Sequence, residues 1–194
     1  MRITGGELKG RLLESVKGDF VRPASDRVRQ ALFQILGHGI EGDILDLFAG
    51  MGSVGIEALS RGADRAVFVE KDRRCLGAIR ANLAGLDLAA RADVVPGDVY
   101  ACLDSLAARR AGRTPFSHVF CDPPYAQSMA VSPGTPLFDL IEGLAGRNLL
   151  APDGVLVFER RRKGVWACEW PSYAIMDHRS YGETILTFMR RKSP

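Results

Sequence analysis

The sequence predicts an α/β protein: a mostly parallel sheet of seven strands, antiparallel at its C-terminal end, with helices on both faces and a small hairpin-and-helix extension at the N-terminus. Three observations carry this prediction. Apolar, strand-like runs alternate with helix-length amphipathic segments from residue 43 to residue 159. A glycine-rich turn, "FAGMGSVG", follows the first of those runs, and two β-rich pieces close the chain. Such alternation produces parallel strands joined by crossover helices, and ligands of such sheets bind at the carboxyl ends of the strands.

Residues 1–40 read as the extension and 41–194 as the main domain. "RITGGELKGRLLE", with glycines between short alternating runs, reads as a hairpin or curled ribbon. In "RPASD", Pro23 stops any earlier helix and Ser25 or Asp26 caps the next one, in which Val28, Ala31, Leu32, Ile35 and Leu36 share a face. Gly37 and Gly39 end it. "DILDLF" is a buried strand, Ser53 to Arg61 a helix, "RAVFVE" a second strand, and the next helix shows Leu76, Ile79 and Leu83 on one side. "ADVVP" precedes a helix with Val99, Cys102, Leu103 and Leu106, and "SHVFC" is the fourth strand. A helix marked by Leu137, Leu140, Ile141 and Leu144 leads to "GVLVFE", and "SYAIM" and "ETILTFM" form an antiparallel pair. The stretch "AQSMAVSPGTP", residues 126–136, suits a mobile lid through its Ser, Gly and Pro content.

Composition narrows the class. With 46% hydrophobic and 25% charged residues the chain is an ordinary globular protein. No apolar run approaches the roughly 20 residues of a membrane span, and "MRITGGELKG" lacks a signal peptide's hydrophobic stretch, so a cytoplasmic protein is expected. Cys75, Cys102, Cys121 and Cys168 form no C-x-x-C pair and the histidines offer no metal-ligand spacing; free thiols and no metal are expected. Residues 1–40 hold seven basic and four acidic side chains, so the whole net charge of +3 resides there. That asymmetry suits a polyanionic partner, and equally a solvated face.

The glycine turn poses a choice. Gly50, Gly52 and Gly55 fit G-x-G-x-x-G, and Glu70 supplies the acid expected about 20 residues on, as in dinucleotide-binding folds. Asp46, however, lies in the preceding strand, where a carboxylate would repel a pyrophosphate. A cationic adenosine compound would welcome it, and S-adenosylmethionine is one, with a sulfonium and an α-ammonium but no phosphate. Asp46 could also simply cap local backbone amides.

A second motif bears on that choice. "CDPPY", Cys121 to Tyr125, follows the fourth strand. Two prolines lock the backbone there, Asp122 adds an acceptor and Tyr125 a ring. This suits a planar exocyclic amine whose N–H groups donate to the Asp122 carboxylate and a proline carbonyl while the base stacks on Tyr125. By itself D-P-P is also a common turn.

In these stretches the sequence resembles the S-adenosylmethionine-dependent amino-methyltransferases with a D/N-P-P-Y/F/W motif. It resembles more closely the RsmD-type guanine-N2 methyltransferases of bacterial small-subunit ribosomal RNA. The likeness runs nearly end to end, through "RITGGELKGRLL", "RPASDRVRQALFQIL", "DLFAGMGSVGIEALSRGA", "VFVEKD", "DPPY" and "YGETILTF". The resemblance implies a Rossmann-like methyltransferase fold with S-adenosylmethionine as cofactor. Asp46, Gly50 and Gly52 would border its methionine end, Glu70 its ribose and Asp98 its adenine amine, with Phe48, Lys71 and Val99 as further cofactor contacts. Asp122, Pro123, Pro124 and Tyr125 would receive a flipped guanine. Arg22 would lie beside cofactor and substrate, and Arg27, Arg29, Arg2, Lys9 and Arg11 would contact ribosomal RNA, in a protein-bound or assembling subunit, with the enzyme a monomer. Met51 departs from the small polar residue common in relatives, and the loop after Tyr125 departs in length. An adenine-N6 methyltransferase acting on DNA or RNA is the alternative enzyme; a dinucleotide-dependent oxidoreductase and a non-catalytic RNA-binding module are the alternative classes.

Other residues read as structural. Cys121 is a packed thiol rather than a nucleophile, His118 a strand residue, and Trp166, Trp170 and Tyr173 core aromatics. "RRRK", Arg160 to Lys163, is either a phosphate grip or a solvated loop.

Overall fold

The computed structural model describes residues 1–16, 26–37, 39–166 and 169–192. Its helices are α1 (Asp26–Leu36), α2 (Ser53–Ser60), α3 (Arg73–Gly85), α4 (Val99–Arg110) and α5 (Pro136–Gly146). Its strands are β1 (Ile44–Leu47), β2 (Ala66–Glu70), β3 (Ala92–Pro96), β4 (Phe116–Cys121), β5 (Ala130–Val131), β6 (Leu150–Arg161), β7 (Val165–Trp166), β8 (Tyr173–Tyr181) and β9 (Thr184–Arg191). The main sheet is the expected one: seven strands, mostly parallel, with β9 antiparallel. The chain divides into two compact units, Met1–Gly97 and Asp98–Pro194, which contribute β3-β2-β1 and β4-β6-β9-β8 respectively.

In the first unit, β1 pairs with β2 and β2 with β3, all parallel, and every residue of β1 is buried, Asp46 included. The N-terminal residues form the curled ribbon that their glycines suggested. Ile3 N donates to Arg11 O at 3.0 Å and Gly10 N to Ile3 O at 2.9 Å. The ribbon lies on the end of α2, where Glu7 N donates to Ser60 O (2.8 Å) and Ser60 Oγ to Gly5 O (2.8 Å). Gly6 has φ 80°, and a Cβ there would fall 1.9 Å from Ser60 O, so this approach requires glycine.

Helix α1 departs from the expected face. Its buried residues are Val28, Arg29, Leu32 and Phe33, while Ile35 is exposed. The helix is rotated by what α2 offers it: Glu57 binds Arg29, and the Arg61 guanidinium lies 4.8 Å from the centre of the Phe33 ring. The cap residue Ser25 and the helix-breaking Pro23 lie outside the described residues.

In the second unit, β4 and β6 are parallel, β9 is antiparallel to both β6 and β8, and α4 packs on α5. Strand β6 is longer than the expected "GVLVFE", because β9 pairs with it as far as Arg161, opposite Thr184. The segment expected as a lid contains a short strand. Ala130 and Val131 pair with Val165 and Trp166, and Val165 N donates to Met129 O at 2.8 Å, so backbone pairing holds a segment that composition alone left open. Aromatic residues fill this unit as expected: Trp170 stacks on Phe138 with centroids 4.6 Å apart, and the buried Tyr173 hydroxyl donates to Ile141 O at 2.8 Å.

Candidate functional site

The glycine turn begins where β1 ends. Phe48, Gly50 and Gly52 all have positive φ (58°, 56° and 80°), which reverses the chain from the strand into α2. Positive φ is costly for a phenylalanine, about 1–3 kcal/mol, and such strain is kept where surrounding structure demands it. Gly52 occupies the N-cap of α2 and has no side chain to cap it. The acceptor comes instead from the strand: Asp46 Oδ2 accepts from Gly55 N at 2.9 Å. Gly55 leaves room for this, since a Cβ there would stand 2.3 Å from Phe68 Cε1 and 3.0 Å from Asp46 Oδ2.

Glu70, at the end of β2, closes the other side of the turn. Its Oε2 accepts from Gly50 N at 2.8 Å, and its Oε1 from Lys71 N (2.7 Å) and Asp72 N (2.8 Å). Two carboxyl groups thus hold the amides that a phosphate-binding turn would keep for its ligand. Burial pushes the Asp46 carboxyl up to about 8; the Gly55 hydrogen bond opposes that, and the Glu70 charge adds to it. A pyrophosphate would find the Gly50 and Gly55 amides already bonded to carboxyl oxygens. A cation near Asp46 would instead favour the ionised carboxylate. These residues fit the cationic, phosphate-free cofactor that the sequence suggested.

The second unit carries the other motif. Asp98 caps α4, accepting from Tyr100 N at 3.1 Å, and Val99 beside it is buried. After the buried Cys121 at the end of β4, Asp122 and Tyr125 are half-buried, Pro123 buried and Pro124 exposed. The Pro124 carbonyl is engaged, accepting from Gln127 N at 2.8 Å, and Tyr125 O accepts from Ser128 Oγ at 3.2 Å. Tyr100 donates its hydroxyl to Gln127 Oε1 at 2.8 Å; burial, with the charges of Cys121 and Asp98, pushes that phenol up to about 12, so it remains a donor. The Arg161 guanidinium lies over the Tyr125 ring, 4.4 Å from its centre.

The basic residues divide. Arg2, Lys9, Arg11 and Arg27 are exposed, Arg2 leaning on Gly10 O (3.3 Å) and Arg11 on Gly85 O (3.1 Å). Lys71 is exposed as well. Arg22 lies outside the described residues. Arg29, expected to meet RNA, is corrected: its side chain is wholly buried, with Nε 2.6 Å from Glu57 Oε2 and Nη2 bonded to Arg2 O and Asp26 Oδ1. It is spent on holding α1 and the ribbon to α2. Within "RRRK", Arg160 and Arg161 belong to β6, are half-buried and lie over aromatic rings, those of Trp166 and Tyr125 respectively, while Arg162 and Lys163 are exposed.

Sequence reasoning passed over Glu57, which accepts from Thr4, Arg29 and Arg61 while wholly buried. Its signal was available, as a lone acid within the apolar stretch "GIEAL". Tyr100 and Gln127 had none, because their hydrogen bond joins a helix to a turn 27 residues away, and Arg161 was marked only as part of a basic run, with no sign of the Tyr125 ring beside it.

Comparison with known proteins adds to this geometry. The family described as conserved hypothetical protein 95 matches residues 1–190. The chain is 37% identical to "Putative rRNA methyltransferase YlbH" of Bacillus subtilis over 84% of each chain. It is 39% identical to ribosomal RNA small subunit methyltransferase D of Escherichia coli, over 66% of this chain and 62% of that one. A solved structure, "Putative methyltransferase yhhF" from Escherichia coli, superposes with a TM-score of 0.81 at 31% identity, covering 100% of this chain and 99% of the other.

Proposed function

The chain belongs to the RsmD-type family, that of conserved hypothetical protein 95, and we propose that it transfers a methyl group from S-adenosylmethionine to the exocyclic N2 amine of a guanine in small-subunit ribosomal RNA. The observation that carries the cofactor half of this reading is the capture of Gly50 N and Gly55 N by Glu70 and Asp46, which suits a cation and opposes a pyrophosphate. The substrate half rests on "DPPY" and on the two relatives described as ribosomal RNA methyltransferases.

In this reading Asp46, Gly50 and Gly52 hold the methionine end of the cofactor, Glu70 the ribose and Asp98 the adenine amine, with Phe48, Lys71 and Val99 as further cofactor contacts. The cofactor, when bound, supplies an electrophilic methyl group on a sulfonium. Tyr125 stacks on the extruded base. The Asp122 carboxylate and the Pro123 carbonyl accept the two N–H bonds of the amine, the Pro124 carbonyl being engaged by Gln127. Held by both hydrogens, the amine directs its lone pair out of the base plane, so attack is a matter of orientation settled on binding. As positive charge grows on nitrogen, Asp122 stabilises it and takes the released proton. Arg2, Lys9, Arg11 and Arg27 contact phosphates of the RNA, with Arg22 beside them, and the enzyme works as a cytoplasmic monomer on a protein-bound or assembling subunit.

The test is nucleoside mass spectrometry of ribosomal RNA from cells with and without the gene. Loss of one N2-methylguanosine is the expected result. Loss of N6-methyladenosine would transfer the reading to the adenine alternative, which "DPPY" serves equally.

A further inference from the structure

We propose that Arg161 is a positioning residue for the target base, acting through the ring of Tyr125. The inference rests on the functional reading above and deepens it, since it assigns the ring a supporting cation and leaves only its opposite face for the base.

The Arg161 guanidinium lies 4.4 Å from the centre of the Tyr125 ring. A planar cation over one face of a tyrosine is held by the ring's quadrupole and blocks that face to anything else. The backbone that carries the arginine is held in the sheet. Arg161 stands opposite Thr184 in the β6–β9 ladder, and the next residue, Arg162, donates its backbone N–H to Glu183 O at 2.8 Å. Its Nε is buried and has no hydrogen-bond partner among the described residues. One of its five N–H donors is thus spent on packing beside the ring rather than on an oxygen acceptor.

The backbone of Tyr125 is held as well. Ser128 Oγ donates to Tyr125 O, Tyr100 steadies Gln127, and the chain then enters β5, which pairs with β7 just beyond the end of β6. With rigid prolines before it and this loop after it, the remaining freedom of Tyr125 is rotation of its side chain. Arg161 removes that freedom before the base arrives, so ordering the ring does not weigh on substrate binding.

Three variants test this, Arg161→Met, Arg161→Lys and Tyr125→Leu, together with the double variant of Arg161→Met and Tyr125→Leu. With ribosomal RNA as substrate, Arg161→Met is expected to lower kcat/KM about tenfold through the RNA KM, with the cofactor KM and melting temperature unchanged. Arg161→Lys keeps a charge without the planar stack and should fall between. In the Tyr125→Leu background, removing Arg161 should cost nothing further. Multiplying losses in the double variant, or a salt dependence of RNA binding that drops by about one counterion in Arg161→Met, would make Arg161 an independent phosphate contact and overturn the proposal.

A second measurement needs no RNA. The δ-protons of Arg161 should be shifted upfield by the Tyr125 ring current in the free protein and return to ordinary values in Tyr125→Leu; an unshifted wild-type signal overturns the contact itself. A wild-type protein that leaves RNA unmethylated would overturn the functional reading and this role with it. A methylating wild type indifferent to Arg161→Met overturns this role alone.

Discussion

With Asp46 bordering the cofactor as proposed, cofactor binding and fold stability are expected to respond to pH in opposite directions. Burial raises this carboxyl from 3.8 to about 8 in the free protein. At pH 6 only about one molecule in a hundred then carries the ionised form, and at pH 8 about half do. A cofactor bearing two cationic groups favours the ionised form, so binding near Asp46 must release a proton. Between pH 6 and pH 8 the affinity for S-adenosylmethionine is expected to rise by up to about fiftyfold, close to 2.3 kcal/mol. The ligand's own α-ammonium titrates in the same range, and the Asp46→Asn variant experiences that titration identically, so the wild-type-to-variant ratio isolates Asp46. The free protein shows the reverse trend. Because the folded state keeps the proton between about pH 4 and pH 8 while the unfolded chain has lost it, stability falls as pH rises through that window, by up to about 1.4 kcal/mol per unit. Asp46→Asn should flatten that decline. Calorimetric titration in two buffers of different ionisation enthalpy measures the released proton directly. Equal proton release by wild type and Asp46→Asn, or none by either, would refute the reasoning.

Three further outcomes are expected. Asp122→Ala should reduce methyl transfer about a hundredfold or more with little change in melting temperature; retained turnover would remove Asp122 from the chemistry. Arg29→Met leaves the wholly buried Glu57 without its 2.6 Å partner and should cost about 3–5 kcal/mol in urea unfolding, whereas a loss within a few tenths would show that Arg61 and Thr4 suffice. Gly55→Ala places a methyl 2.3 Å from Phe68 Cε1 and should cost about 1–3 kcal/mol while weakening cofactor binding; an unchanged midpoint would mean that the Phe68 ring moves aside freely.

What was legible in the sequence was periodic. β1, β2 and β3 are short apolar runs between glycines and helices, and Leu76, Ile79 and Leu83 of α3 mark one face at helical spacing; all three are buried. These elements state their own pattern, so a reader of the chain finds them. The lengthening of β6 to Arg161 is different. Nothing in "RRRK" resembles a strand; that segment is extended because β9 supplies hydrogen-bond partners from residues 184–190. The pairing of β5 with β7 likewise joins two dipeptides 35 positions apart, each too short to show a strand's alternation.

Charge was the least legible property, because a formal charge does not say which atoms neutralise it. The surplus of basic residues in the first 40 positions suggested a polyanion, yet Arg29 is consumed by Glu57 from α2, outside that stretch. The surplus that faces solvent is correspondingly smaller, and Arg2, Lys9, Arg11 and Arg27 carry what is described of it. The glycine turn shows the complementary case. Its spacing alone invites a pyrophosphate, but Glu70 and Asp46 already occupy two of its amides. A glycine motif describes how closely a backbone can be approached, whereas the acids bonded to that backbone determine the sign of the charge that approaches. For this chain the two carboxyl groups suit a cation better than a phosphate, and the proposed sulfonium cofactor follows from them more directly than from the glycines.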